Sequence, residues 1–302
     1  MKYKLGIDIG GTNVAFGLVD ETGKVQRKES VNTNSFDAPE DLFEEIKHQL
    51  SEELSSISGV GIGAPNGNSK TGKIEFAPNL KWTGIVDVIQ LAENVFGLPA
   101  KLVNDANAAA LGEKHYGVAK DWSDFVCITL GTGLGSGVIV NNELVIGSNG
   151  LAGEFGHIVV IPKGRQCGCG RQGCLETYVS SKGVKKTLEI GLESWPSKFV
   201  GVNAEDSVKD IFDKAEKGHY GAMEIVDYTA DILGQALANF AAFSNPQGYV
   251  LFGGLAQSGA FFKDKVESAM NKSILSIYNK TQIRISSLSA GDAAILGAAA
   301  II

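Results

Sequence analysis

The chain has 302 residues, 44% of them hydrophobic and 20% charged, enough apolar material for two packed domains. A net charge of −7 with a pI near 5.2 excludes a surface built to neutralise nucleic-acid phosphates, which needs clustered lysine and arginine. The longest apolar tracts, such as the C-terminal AAILGAAAII, are too short to span a bilayer, and the acidic, glycine-paired N-terminus is unlike a secretory leader, so a cytoplasmic protein with free thiols is expected.

Residues 3–20, YKLGIDIGGTNVAFGLVD, begin as an apolar strand, break at Gly10 and Gly11, and resume as a second strand; ETGK is a turn and VQRKESV a third strand. Backbone N–H groups at a glycine hinge can approach an anion closely, and Thr12 adds a hydroxyl. Gly10, Gly11 and Thr12 are therefore a candidate phosphate loop, and Asp8 at the strand end could organise Mg2+. An ordinary hairpin turn is the alternative.

Leu42, Phe43, Ile46 and Leu50 have helical spacing, and GVGIGAPNG (59–67) is a strand running into a loop. GNSKTGK (67–73) nearly spells a P-loop, but Ile74 stands where Ser or Thr is required and IEFAPN follows rather than a helix, so a P-loop NTPase is rejected. In APNLKW (77–82), Asn79 after proline is equally consistent with turn chemistry. KLVNDANAAALGE (101–113) reads as a short strand ending at Asn104 and Asp105 and an alanine-rich helix. On the residues alone, Asp105 reads first as the helix N-cap.

Residues 125–146, FVCITLGTGLGSGVIVNNELVI, repeat the opening plan, with Ile128–Gly133 lying over Ile7–Thr12. Such a duplication implies two related α/β domains facing across a cleft, each with a phosphate loop; the second loop is Gly131, Thr132 and Gly133. Thr129 replaces Asp8, as expected if one Mg2+ is held. Cys127 reads as core. Residues 180–243 are mainly helical, with an irregular interruption at 191–203 around Trp195. PQGYVLFGGLAQSG (246–259) is a buried strand with a double-glycine turn opening a helix, and 289–302 is an apolar Gly/Ala helix expected to return to the first domain.

GEFGHIVVIPKGRQCGCGRQGCLE (153–176) concentrates the chemistry. His157, Cys167, Cys169 and Cys174 are the complement of a closed, structural Zn2+ site, preferred over a disulfide in a chain without a leader. Gly168, Gly170 and Gly173 also spell GxGxxG, discarded because ligands thread through it. A histidine with one nitrogen on zinc has its other N–H fixed as a donor. With Glu154 and Glu176 as acceptors, the segment suits a polyhydroxylated ligand such as a sugar.

GEFGH followed by CGCGRQGCLE resembles the ROK family, the bacterial glucokinases and related sugar kinases together with repressors on the same fold. The resemblance implies an actin-like ATPase fold, α/β and two-domain, as in sugar kinases, with an interdomain cleft. The expected domains are 1–115, joined by helix 289–302, and 116–288. It further implies a hexose held by Asn79, Asn104, Asp105, Glu154, His157 and Glu176, with Asp105 as catalytic base. MgATP would lie across the loops at Asp8, Gly10, Gly11, Thr12 and at Gly131, Thr132, Gly133, with Gly253 and Gly254 beside the adenosine. ATP-dependent phosphorylation of glucose or another hexose is expected, in a dimer or tetramer. A sugar-responsive regulator is the competing class; it resembles this chain plus a helix-turn-helix, for which there is no room before Tyr3. A glycosidase using Glu154 and Glu176 leaves both phosphate loops unexplained.

Overall fold

The computed structural model describes residues 2–76, 80–278 and 281–302. The chain divides into two compact units: Met1–Asp121, Gly137–Gly153 and Ser287–Ile302 form the first, and Trp122–Ser136 with Glu154–Ser286 the second.

The first unit opens with β1 (Tyr3–Ile9), β2 (Asn13–Val19) and β3 (Val25–Asn32), an antiparallel meander with Ile9 opposite Val14 and Asn13 opposite Asn32. Helix α1 (Pro39–Gln49) has proline in its first turn, Glu40 and Asp41 near its N-terminus and Lys47 and His48 near its C-terminus, which suits the helix dipole. It buries Leu42, Phe43 and Ile46. Strand β4 (Ile57–Ala64) runs parallel to β1, followed by the hairpin of β5 (Gly67–Asn68) and β6 (Lys73–Ile74). Helix α2 (Val88–Phe96), which has no counterpart in the sequence reading, is capped by Asp87 and ended by Gly97 at φ 68. Strand β7 (Ala100–Asn104) pairs parallel with β4 and leads directly into α3 (Asp105–His115). The sheet order is β3-β2-β1-β4-β7.

The second sheet starts with β8 (Phe125–Leu130), β9 (Leu134–Val140) and β10 (Glu143–Leu144). The second unit continues through α4 (Glu176–Val179), α5 (Ser181–Ser194), α6 (Val208–Glu216) and α7 (Tyr220–Ser244) to β11 (Gly248–Phe252), α8 (Ala260–Ser273) and β12 (Gln282–Ile285). Its order, β10-β9-β8-β11-β12, has the plan of the first sheet strand for strand. The duplication legible in the meander therefore extends to two parallel strands beyond it, and β12 is one the sequence reading missed.

The C-terminal helix α9 (Ala290–Ala300) packs in the first unit against β1, β4 and α3. A Cβ on Gly61 would lie 1.9 Å from the Ala298 carbonyl oxygen, and one on Gly6 2.1 Å from that of Ile295. The helix backbone thus rests on the sheet backbone, which only residues without side chains permit. Among the described residues no helix is long and apolar enough to cross a membrane.

Candidate functional site

In the first unit the site residues gather where parallel strands end. Asp8 of β1 is in register with Gly63 of β4, and the next β4 residue, Ala64, with Asn104 of β7, so Asp8 and Asp105 come to the carboxyl edge of three adjacent parallel strands, where open α/β sheets bind ligands. The cap of α3 is Asn104, whose Oδ1 accepts the Ala106 N–H at 2.9 Å. Asp105, first read as the N-cap, is instead the first helical residue. Asn104 can take the cap because its backbone is still extended, at φ −63 and ψ 149.

The two carboxyls are poor anions as they stand. Loss of surrounding water, then the charge of Asp105, raises the Asp8 pKa from 3.8 to about 6. Asp105 remains accessible to solvent, yet the protein around its carboxyl removes enough water to push its pKa up, against the pull of the Ala106 N–H, which its Oδ1 accepts at 2.8 Å. The glycine hinge between β1 and β2 is closed by Gly10 N–H to the Asn13 carbonyl at 3.0 Å and tied to Thr33, whose Oγ1 donates to the Gly10 carbonyl at 2.7 Å. The N–H groups of Gly11 and Thr12 have no hydrogen-bond partner among the described residues, so they are available to an anion. Asn79 lies outside the described residues.

In the second unit residues 154–176 fold into a knuckle. His157 Nδ1 is 3.6 Å from Cys167 Sγ, Cys169 Sγ is 3.7 Å from Cys174 Sγ, and all four donor atoms lie within 4.8 Å of one another. The edge of a tetrahedron with metal–sulfur bonds of about 2.3 Å is about 3.8 Å, so the donor set and its spacing fit Zn2+. Cys127 is buried elsewhere, in β8. Turns set the cluster: Cys167 N–H bonds the Arg171 carbonyl at 2.9 Å and Gly173 N–H the Arg165 carbonyl at 2.8 Å. Gly173 is required, since at φ 82 a Cβ would lie 1.7 Å from the Ile161 oxygen. Burial pushes the Cys167 and Cys174 thiols up, so binding as thiolates would release protons.

The carboxylates flank the same histidine. Nε2 of His157 faces Glu154 Oε2 at 3.9 Å, while Nδ1 faces the sulfurs and Glu176 Oε1 at 3.7 Å, and Glu176 Oε1 also accepts from Cys167 Sγ at 3.1 Å. The loop between β8 and β9 backs onto this group: a Cβ on Gly133 would sit 3.0 Å from Glu176 Oε2. Gly131 N–H closes on the Gly133 carbonyl at 3.0 Å, and the N–H groups of Thr132 and Gly133 have no partner among the described residues. The turn after β11 lies alongside, because Gly253, at φ 101, would bring a Cβ within 2.6 Å of the Leu130 oxygen. Gly254 has open space around it. Glu154, Glu176, the knuckle and two glycine turns are thus brought together in one unit.

Sequence reading missed Arg165. Its Nη1 donates to the carbonyls of Thr177 at 2.8 Å and Gly183 at 3.0 Å, Nη2 to Thr187 Oγ1 at 2.9 Å, and its backbone N–H to the Tyr178 hydroxyl at 2.9 Å. It ties the knuckle to α4, which carries Glu176. An arginine in a GRQ turn gives no such signal, because its partners lie in the two helices that follow the knuckle.

The glucokinase of Thermotoga maritima is 34% identical over all of this chain and 98% of its own. A crystal structure of a ROK family glucokinase from Streptomyces griseus in complex with glucose and AMPPNP superposes with a TM-score of 0.80 at 32% identity, covering 99% of this chain and 98% of that one. The xylose repressor of Bacillus subtilis is 29% identical over 91% of this chain and 70% of the repressor. The fold is thus the two-domain, actin-like α/β fold of the ROK sugar kinases. The ROK family profile matches residues 4–302, and the chain belongs to the ROK family.

Proposed function

We propose that the protein transfers the γ-phosphoryl group of ATP to a hexose, with glucose favoured. The observation that carries this reading is the pair of carboxyls with raised pKa values at the carboxyl edge of the first sheet, on a chain 34% identical to a glucokinase. A neutral sugar hydroxyl is a weak nucleophile, and a carboxylate with an elevated pKa accepts its proton better than an ordinary one. Asp105 takes the proton of the attacking hydroxyl, held by the start of α3 and the Ala106 N–H. Asn104, while capping the helix through Oδ1, can offer its side-chain amide to neighbouring sugar hydroxyls.

Glu154, Glu176 and the Nε2–H of His157 orient the hexose as two acceptors and one donor. The free N–H groups of Gly11 and Thr12, and of Thr132 and Gly133, hold phosphate oxygens, and Gly253 and Gly254 leave room for the adenosine. Asp8 fits a Mg2+ role, because a divalent cation relieves a carboxylate otherwise disfavoured by burial and by Asp105. Bound Mg2+ supplies neutralisation of charge on the transferring phosphoryl group. Zinc, with four protein ligands, is structural and fixes the His157 ring. A cytoplasmic homo-oligomer, dimer or tetramer, without a nucleic-acid or membrane partner completes the proposal.

A coupled assay of ADP release from MgATP over a panel of hexoses tests this, with Asp105→Ala as control. Sugar-stimulated release that depends on Asp105 supports the kinase, and the best kcat/KM names the hexose; fructose, mannose and N-acetylhexosamines are the competitors, and residues 63–68, GAPNGN, are the segment proposed to select among them. The similarity to xylose repressors supports a second reading, a sugar-binding regulator. No turnover, with hexoses still raising the melting temperature, would select it.

A further inference from the structure

Behind the knuckle, within the second unit, lies a pocket of about 440 Å³, the size range of small-molecule sites. Its walls include Arg165, Tyr178, Trp195, Lys198, Glu224 and Tyr228. Two features set its chemistry. Arg165 stacks on the Tyr178 ring, with its guanidinium carbon 4.5 Å from the centroid, and makes no ion pair with a carboxylate among the described residues. Three of its side-chain N–H groups serve the Thr177 and Gly183 carbonyls and the Thr187 hydroxyl, which leaves two of its five donors, with Glu189 acting on its charge only from beyond contact distance. Lys198 adds a second cation to the lining. The other feature is aromatic: Trp195 is 55% exposed and Tyr228, which meets the Tyr178 ring edge to face, 39% exposed, so both side chains are partly open beside the cations.

Cations beside partly open aromatic side chains accept an anion that carries an apolar face. Glu224 narrows the class. A carboxylate in the same pocket accepts hydrogen bonds from hydroxyl groups, which a plain aromatic acid does not offer, so the ligand is an anion, a ring and a polyol at once. We propose that this pocket is a regulatory site for a phosphorylated sugar, with phosphate on Arg165 and Lys198, the ring against Trp195 and Tyr228, and hydroxyls on Glu224.

The pocket and the hexose-facing carboxylates share their peptide. Arg165 lies between His157 and Cys167, and its carbonyl accepts the Gly173 N–H at 2.8 Å; Tyr178 follows Glu176 by two residues on α4. A ligand that draws the guanidinium away from Thr177 changes the end of the helix on which Glu176 sits, so occupancy is coupled to hexose affinity.

Trp195 is also the reporter, because Trp82 and Trp122 are 7% and 4% exposed. Purified protein with saturating glucose and a non-hydrolysable ATP analogue, so that the first site is filled, is titrated with glucose 6-phosphate, inorganic phosphate and more glucose, and followed by tryptophan fluorescence and calorimetry. Saturable binding of glucose 6-phosphate, at least tenfold tighter than inorganic phosphate and weakened at least tenfold in both Lys198→Ala and Trp195→Ala, is the expected result, with glucose giving no further signal. Equal binding of inorganic phosphate would reduce the pocket to a plain anion site and overturn the proposal. So would binding unaltered by both variants, or none at all. The readout is binding, so it stands or falls apart from the kinase reading.

Discussion

Replacing Asp8 with asparagine should make the protein more stable and less active. Its pKa rises from 3.8 to about 6 on folding, so ionised Asp8 at pH 7.5 costs the folded state about 3 kcal/mol at about 1.4 kcal/mol per unit. The side chain is half-buried, and residual solvent lowers the expected gain of Asp8→Asn to about 2 kcal/mol. A raised carboxyl leaves stability intact below the unfolded pKa and removes it as pH climbs through the folded one. The gain should therefore be full at pH 7.5, about half developed near pH 5, about a fifth developed near pH 4 and absent below about pH 3. Urea denaturation across that range, without nucleotide, measures it. Because Asp105 is the second cause of the shift, an Asp105→Asn background should shrink the gain, a coupling readable by double-mutant cycle. The same Asp8→Asn protein should bind MgATP more weakly. A variant less stable than the parent at pH 7.5, or a gain that does not change with pH, would refute the electrostatic account.

Asp105→Asn should lower kcat by about 10²–10⁴-fold, the range of a lost general base, while calorimetry still detects hexose binding; near-normal turnover removes the residue from that role. Elemental analysis should find about one zinc per chain, and a strong chelator should lower the melting temperature and raise the hexose KM. Full thermal stability of zinc-free protein with reduced thiols would defeat the bracing role. Gly61→Ala should cost about 1–3 kcal/mol or more, because its Cβ meets the Ala298 oxygen at 1.9 Å; thermal unfolding with a Tm matching the parent would show that α9 yields easily. Glu154→Gln, which removes the carboxylate facing His157 Nε2 at 3.9 Å, should raise the hexose KM with zinc content unchanged.

The sequence by itself determined the features that are local. A glycine hinge between apolar strands, a strand ending in Asn-Asp before an alanine-rich helix, and a histidine with three cysteines in one segment all carry their chemistry within a few residues, so spacing suffices to read them. The meander's duplication was legible for the same reason. Only the tertiary structure decided the rest. Whether Asn104 or Asp105 caps α3 depends on one backbone angle. That the duplication covers two whole sheets depends on parallel pairing of β4 with β7 and β11 with β12, strands separated by helices and alike in little but apolar character. Asp8 owes its raised pKa first to burial in the folded sheet and second to Asp105, about a hundred residues away, brought beside it by strand register. Arg165 owes its role to carbonyls of the two helices after the knuckle. Such long-range terms leave no periodicity in a sequence, because they arise from burial and charge shared between elements that meet only on folding.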